Sequence, residues 1–481
     1  MSSREVRLRN MLAYGAGDIY GGGAFIIIGT YFLLFLTTNV GINPAMAGLI
    51  VSLGKIWDAV TDPMMGIISD KTRSRFGRRR VYFLLGIVPI TFSFILLWLN
   101  PPLTGAAQFL YYLLAYMLFN TVFTMVMVPY NALPAEMLQE YTQRSKMMGI
   151  RMIFSQIGTL VSAVVPGVIF SMVGRNDLGY FYFALIIGIF FATPWIFTYL
   201  GTWEREVTEE ERSRQAKTLK DIFGEFFSTF RNKSFRSHIG MYLSAYASMD
   251  IFMALLMYYL IYHLKYTQGE SLILGTVLIV QIIGIVIVSR SCMKWGNAKV
   301  FRRHSLISLV GILALSLLPS GVPAWVIMAA GALFAIGLAG GVFIPYNNLP
   351  FVIDADKIIS GRSREGIYSG MTTFMRKIAQ ALALQLVGIG LSLFNFVEGG
   401  EVQSLQTVNG IRFMFIFFPF VLLTAGIFFS RNFRIDPDTH ALMRKELEAR
   451  SKGETLADDP QVVEACELVT GCAYDSLGGG S

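Results

Sequence analysis

Lys55, Asp58 and Asp62 recur at spacings of three and four in Lys55-Ile-Trp-Asp58-Ala-Val-Thr-Asp62-Pro63, so on a helix all three lie along one face. Two carboxylates that close can hold a sodium ion directly. They can equally take up a proton, because crowding like charges favours the neutral form. A third reading is a buried Lys–Asp pair that simply fixes the helix in place. Asp18 stands within Gly15-Ala-Gly-Asp18-Ile-Tyr-Gly-Gly-Gly23, where small residues let another helix approach closely. Arg151 and Lys377 supply two kinds of cationic donor to set beside that acceptor. Carboxylate acceptors, cationic donors and an aromatic face are what a polyhydroxylated solute needs. Tyr130, Tyr346, Asn347 and Asn348 add neutral hydrogen-bonding groups, while Tyr14, Tyr20 and Trp57 read first as packing aromatics. Asp250, in Met249-Asp-Ile-Phe-Met253, either lines the solute cavity or lies near enough to the outer interface to be hydrated.

All these groups sit in apolar surroundings. The 481 residues are 54% hydrophobic and only 15% charged, with a mean hydropathy of +0.54, whereas soluble chains are roughly a quarter charged. Apolar blocks of spanning length fall near 11–38, 45–68, 80–99, 106–133, 149–172, 179–201, 238–264, 272–290, 305–320, 324–350, 367–394 and 410–430, and about 20 residues cross a bilayer core. Only helices and closed barrels satisfy their own backbone in lipid, and these continuous runs lack the alternation of barrel strands. The expected fold is an all-α integral membrane bundle of twelve helices. An ionisable side chain in such a helix is costly enough to imply a function.

Positive charge marks one side of the membrane. Arg4, Arg7 and Arg9 precede the first block; Lys71, Arg73, Arg75, Arg78, Arg79 and Arg80 follow the second; Lys294, Lys299, Arg302 and Arg303 follow the eighth; eight more lie in 202–237. The intervening stretches 37–45 and 100–107 carry no charge. Both termini are therefore expected in the cytoplasm of a multi-pass protein of the cell membrane. The net charge of +8 then belongs to membrane-side loops, with no separate basic domain for a nucleic acid. The Arg73–Arg80 loop can hold anionic lipid head groups; a cytoplasmic gate, with arginines meeting carboxylates such as Glu136, is the reading we prefer. The first block is too long for a signal-peptide core and reads as a retained helix. Cys292, Cys466 and Cys472 are scattered, giving neither a disulfide framework nor a four-ligand metal site. No nucleophile–base pair, cofactor loop or metal cluster points to an enzyme.

The chain is also built twice. Val128-Pro-Tyr-Asn-Ala-Leu-Pro134, closing the fourth block, returns as Ile344-Pro-Tyr-Asn-Asn-Leu-Pro350 closing the tenth. Each is followed by a charged stretch, Gln143-Arg-Ser-Lys146 and Arg362-Ser-Arg-Glu365. Parallel six-helix repeats are the architecture of a rocking transporter with its site between the halves. The divisions expected are 1–201 and 238–434 for the halves, 202–237 for a cytoplasmic linker and 435–481 for a polar tail. In that tail Asp438–Arg450 is expected as an amphipathic helix on the membrane surface, with a loosely ordered remainder.

Lys55 to Arg80, KIWDAVTDPMMGIISDKTRSRFGRRR, resembles the signature of the glycoside–pentoside–hexuronide:cation symporters, the melibiose permease family of the major facilitator superfamily. The repeated VPYNALP segment and the GAGD of the first helix support the resemblance, which extends to about residue 435. It implies a major facilitator fold and cation-driven sugar uptake, with Asp58 and Asp62 binding sodium or a proton and Thr124 as a further ligand. It places Asp18, Arg151, Lys377 and Thr373 at sugar binding or at the linking of the halves. Two positions depart from melibiose permease: Met127 replaces a sugar-binding aspartate, and Asn131, which we include in the substrate set, replaces a tryptophan. Thr61 stands where an asparagine precedes the second aspartate, leaving sodium and proton both open. No cofactor is expected beyond the coupling ion, and the protein is expected to act as a monomer on a sugar or glycoside. The alternative is a cation-coupled transporter of the same fold moving an amphiphile such as a lysolipid, which a wide apolar cleft beside the polar cluster would favour.

Overall fold

The computed structural model describes residues 7–137, 141–204, 219–266, 270–362, 364–400, 402–452 and 454–478. Helix α1 (Leu8–Ala16) runs through Gly17 into α2 (Asp18–Ile27) and two π turns, Ile28–Phe32 and Phe35–Asn39. Then follow α3 (Pro44–Lys71), α4 (Val81–Trp98), α5 (Gly105–Met137), α6 (Tyr141–Val173), and α7 (Asp177–Ala192) continuing as α8 (Pro194–Gly201). A linker helix, α9 (Leu219–Ser228), precedes α10 (Lys233–Tyr258) with its π turn Tyr259–His263. Next come α11 (Glu270–Trp295), α12 (Asn297–Ser316), α13 (Ala324–Ser360), α14 (Glu365–Leu393) and α15 (Leu405–Asn432). Two shorter helices end the chain, α16 (Pro437–Ser451) and α17 (Pro460–Thr470).

Among the described residues, ten segments are long and apolar enough to cross a membrane. Helices α3 and α12 match them in length, at 28 and 20 residues, but carry Lys55, Asp58 and Asp62 in one and Lys299, Arg302 and Arg303 in the other. Together they make the twelve expected spans. Several helices outrun their apolar blocks, α13 reaching Ser360 and α12 beginning at Asn297. Backbone hydrogen bonds continue where side chains turn polar, so hydropathy finds the middle of a span better than its ends.

The chain forms two compact units. The first contains Met1–Ala216 with Met253–Gly275 and Ala381–Ile411; the second contains Lys217–Phe252, Thr276–Gln380 and Arg412–Ser481. In the first unit the small residues before and after Asp18 do what their size allows. A Cβ on Gly22 would lie 2.3 Å from the Ser155 carbonyl oxygen, so α2 and α6 touch backbone to backbone. Tyr14, Tyr20, Trp98, Tyr116, Tyr130 and Trp195 fill the space beside them, fully buried. At the end of α3 away from the arginine-rich loop, Ser52 Oγ donates to Gln385 Oε1 at 3.2 Å and Gln385 Nε2 to the Ala45 carbonyl at 3.4 Å. There α3 and α14 cross so tightly that a Cβ on Gly388 would stand 2.3 Å from the Pro44 oxygen and 3.0 Å from Gly48 Cα.

In the second unit the helix expected at Asp438–Arg450 is present as α16, but the remainder expected to be loosely ordered instead forms α17, and both helices pack against the end of α13. Asp436 and Asp459 cap the two helices, each with a proline at the first turn. Met443, Val462, Cys466 and Val469 are buried; their three- and four-residue spacing is an apolar stripe too short to stand out in a polar segment. Glu446, fully buried, accepts from Arg450 Nε and Tyr474 Oη at 2.6 Å each and from the Leu456 amide at 3.1 Å. Arg450 Nη1 in turn donates to the Ile358 carbonyl at 3.0 Å. Burial of Cys466, with Glu446 nearby, pushes its thiol up to about 11, so it stays protonated.

Burial alone would raise the Glu446 carboxyl, but the hydrogen bonds from Tyr474, Arg450 and Leu456 outweigh it and hold the group below its ordinary value. A carboxyl lowered on folding stabilises above its unfolded pKa, and that stabilisation fades as pH falls through the folded value. Hydrogen-exchange protection of α16 and α17 is therefore expected to be level from pH 8 to 5 and to fall below about pH 4. Glu446→Ala should lower it at neutral pH by about 1.5–3 kcal/mol, since charged hydrogen bonds are lost. Equal protection in variant and wild type would remove Glu446 from the docking of the tail.

Candidate functional site

Helix α3 presents Lys55, Asp58 and Asp62 along one face, as the spacing requires. Across from them α5 brings Thr124, whose Oγ1 lies 2.8 Å from Asp58 Oδ1 and 2.9 Å from Asp62 Oδ1. A hydroxyl owns one hydrogen and can give it to only one of two carboxylates at a time. The other contact then needs a proton on the carboxyl or a cation among the three oxygens. Lys55 Nζ is 4.0 Å from Asp58 Oδ2 and sits 5.0 Å from the centre of the Phe25 ring. The lysine thus accompanies the carboxylates without displacing Thr124 from between them. Thr61 spends its hydroxyl on the Asp58 carbonyl at 3.2 Å. No cluster of three or more His, Cys, Asp or Glu side chains suited to a metal occurs among the described residues.

A second polar group in the same unit joins α2 to α6. Arg151 Nη2 donates to Asp18 Oδ1 at 3.0 Å, and the guanidinium lies 5.0 Å over the Tyr130 ring. Tyr130 stacks on Tyr14 at 4.4 Å. Each hydroxyl of that pair donates to the other's carbonyl, at 2.9 Å from Tyr130 and 3.3 Å from Tyr14. The stack fixes the floor beneath the arginine. Arg151 Nε is buried with no acceptor among the described residues. A Cβ on Gly21 would meet both Asp18 Oδ1 and Met127 Cε within 2.7 Å. Asp18 and Met127 thus both crowd the face of Gly21, which has no room for a side chain.

The remaining candidates divide. Lys377 is buried on α14 in the second unit. Thr373 is exposed there and donates to the Ser369 carbonyl of its own helix at 3.0 Å, and Asn131 is exposed on α5. Asn348 and Asn347 are committed to Asn297, at 2.7 and 3.0 Å, which ties α13 to the start of α12. Trp57 is part-exposed, its Nε1 donating to Thr121 Oγ1 at 2.9 Å. Of the two readings open for Asp250, its burial goes against the hydrated interfacial one: it is paired bidentately with Arg376, Nη1 to Oδ2 at 2.6 Å and Nη2 to Oδ1 at 2.8 Å, with Gln380 Nε2 at 3.3 Å. Sequence reasoning passed over Arg376 and Gln380. The signal was present in two four-residue ladders, Tyr242–Tyr246–Asp250 and Arg376–Gln380, each on one helical face.

In the arginine-rich loop, Arg79 Nη2 meets Asp70 Oδ1 at 2.7 Å. The Glu204 carboxylate accepts the backbone amides of Arg78, Arg79 and Arg80 at 2.6, 2.8 and 2.5 Å, a negative charge at the start of α4. The side chain of Glu136, expected as a partner for this loop, lies outside the described residues.

Ten apolar segments among the described residues, joined by α3 and α12 and with ionisable groups set among them, make a multi-pass membrane protein, and its relatives are transporters of the major facilitator type, not enzymes. The chain belongs to the MFS/sugar transport protein family, which it matches over residues 13–437. It is 23% identical to the isoprimeverose transporter of Lactiplantibacillus pentosus, over 93% of each chain. It is 24% identical to the sodium-dependent lysophosphatidylcholine symporter 1-A of Danio rerio, over 92% of this chain and 90% of that one. Its fold matches that of the nucleoside transporter NupG with a TM-score of 0.62 at 14% identity, covering 90% of this chain and all of the other.

Proposed function

We propose that the chain is a sugar symporter of the cell membrane, working by alternating access and driven by sodium or protons held at Asp58, Asp62 and Thr124. The observation that carries the reading is the single Thr124 hydroxyl set within 2.9 Å of two carboxylates, an arrangement completed by one positive charge. Asp18 and Arg151 bind hydroxyls of the solute over the Tyr130 ring, with Lys377, Thr373 and Asn131 as further polar contacts. The bias of arginine and lysine to alternate loops supports a reading with both termini in the cytoplasm. The family match and the sugar transporter among its relatives support a sugar or glycoside as the solute.

Asp18→Ala should weaken sugar binding at saturating cation by more than tenfold, because losing a charged hydrogen-bond partner costs about 1.5–3 kcal/mol. Calorimetry on the purified variant measures this, and unchanged affinity would leave Asp18 a structural role only.

One observation favours the lysolipid alternative. An apolar groove of about 380 Å³ is lined by Ile19, Phe154, Phe190, Pro194 and Phe197 among others, and a relative is named a lysophosphatidylcholine symporter. Competition decides between the readings. Lysophosphatidylcholine that blocks no sugar uptake, and is itself not accumulated, excludes the lipid.

A further inference from the structure

Resting on the sugar reading above, we propose that Asp250, Arg376 and Gln380 with Tyr242, Tyr246 and Tyr346 form a second solute subsite, one that takes a hydroxylated ring. The residues come from α10, α13 and α14 of the second unit. Tyr242, Tyr246 and Asp250 follow one another at four-residue spacing down one face of α10. Arg376 closes on Asp250 through two parallel hydrogen bonds and covers the Tyr246 ring at 4.7 Å. Tyr346 of α13 meets the other two tyrosines edge-on, at 5.8 Å from Tyr242 and 6.2 Å from Tyr246. Its hydroxyl is 3.4 Å from that of Tyr242.

An ion pair that merely joins α10 to α14 would need none of this. Buried ion pairs are poor stabilisers, often matched by apolar side chains of similar volume, and in a spanning helix they mark solute or ion paths. The decisive feature is Tyr346. It is 59% exposed where the apolar part of a spanning helix ends, yet its ring leans on the tyrosines that cover the pair. An exposed aromatic face beside a guanidinium that has spent two of its five N–H groups is suited to a ring with one apolar face and an edge of hydroxyls. Asp250 and Gln380 hold the fork in plane; Arg376 and Tyr346 touch the solute.

The test uses the full-length protein in proteoliposomes, with D-xylose, methyl α-D-glucopyranoside and D-glucuronate as probes. Wild-type binding by calorimetry first identifies a probe that is bound. Two variants follow: Asp250→Asn with Arg376→Gln, which removes both charges together, and Tyr346→Cys in a background with Cys292, Cys466 and Cys472 changed to Ser. We expect the double variant, at a wild-type melting temperature, to bind the probe at least tenfold more weakly. The same probe should slow maleimide alkylation of the new cysteine severalfold. Wild-type affinity in the double variant with unprotected alkylation would make the pair a helix clamp and overturn the subsite, leaving the sugar reading intact. If the double variant fails to fold, protection of the cysteine alone decides. Failure of the wild type to bind any of the three probes overturns the sugar reading and the subsite with it.

Discussion

Asp58→Ala is expected to abolish cation-driven accumulation of the solute, bringing uphill uptake down to that of vesicles without the protein. The site rests on three oxygens from two helices, and Asp58 is its most buried carboxylate, 1% exposed. Removing it leaves Asp62 and Thr124 as two ligands and takes away the carboxylate 4.0 Å from Lys55. A cation bound among three oxygens loses a full negative charge in a site of low polarity, where such interactions are strongest. Downhill exchange and solute binding draw on Asp18 and Arg151 instead and should survive within a few-fold. Thr124→Ala, which keeps both charges, should weaken coupling less than loss of either aspartate. Following sodium uptake and external pH during solute entry identifies the ion. Uphill uptake at the wild-type level in Asp58→Ala would show that these carboxylates are only a structural pair.

Gly388→Val should produce the second large effect. The new Cβ would meet the Pro44 carbonyl oxygen at 2.3 Å and Gly48 Cα at 3.0 Å. These are backbone atoms, with no rotamer to turn aside. The ends of α3 and α14 must separate, and the bonds of Gln385 to Ser52 and Ala45 must break with them. A transporter that brings these ends together once per cycle should lose more than tenfold in turnover, while Gly29→Ala, with nothing within 4 Å, should be neutral. Spin labels at the exposed Met46 and Leu386 would report a longer separation in the valine variant. An unchanged distance with normal transport would mean that the close crossing is incidental.

Physical periodicity explains what could be read in advance. Twelve spans follow from block length, and the face shared by Lys55, Asp58 and Asp62 follows from 3.6 residues per turn, since both are local properties. Pairings across helices are not local. Asp18 and Arg151 were recognisable as donor and acceptor, but 133 residues separate them, and nothing in either neighbourhood states that they meet. Arg376 shows the same limit more sharply: its neighbour Lys377 drew attention through the family resemblance, while the residue that neutralises Asp250 went unnoticed. Asn347 and Asn348 were readable as hydrogen-bonding groups, but not that each would bond to Asn297 of another helix. The docking of the tail, and the helix at its end, went unread for a different reason. Its composition is polar on average, and four buried side chains in two short helices barely move that average although they decide where the segment docks.

The duplicated motif ends on a contrast of its own. Tyr130 and Tyr346 occupy the same place in the two copies of Pro-Tyr-Asn. The first is wholly buried against Tyr14, with its hydroxyl locked to the backbone, while the second is largely exposed. One copy is held on every side by packing, while the other keeps an open face. Change at position 130 would be purged whatever the cargo, whereas position 346 could drift or adapt each time a lineage met a new nutrient. Innovation in this chain should therefore be lopsided, recorded in the second copy and silent in the first.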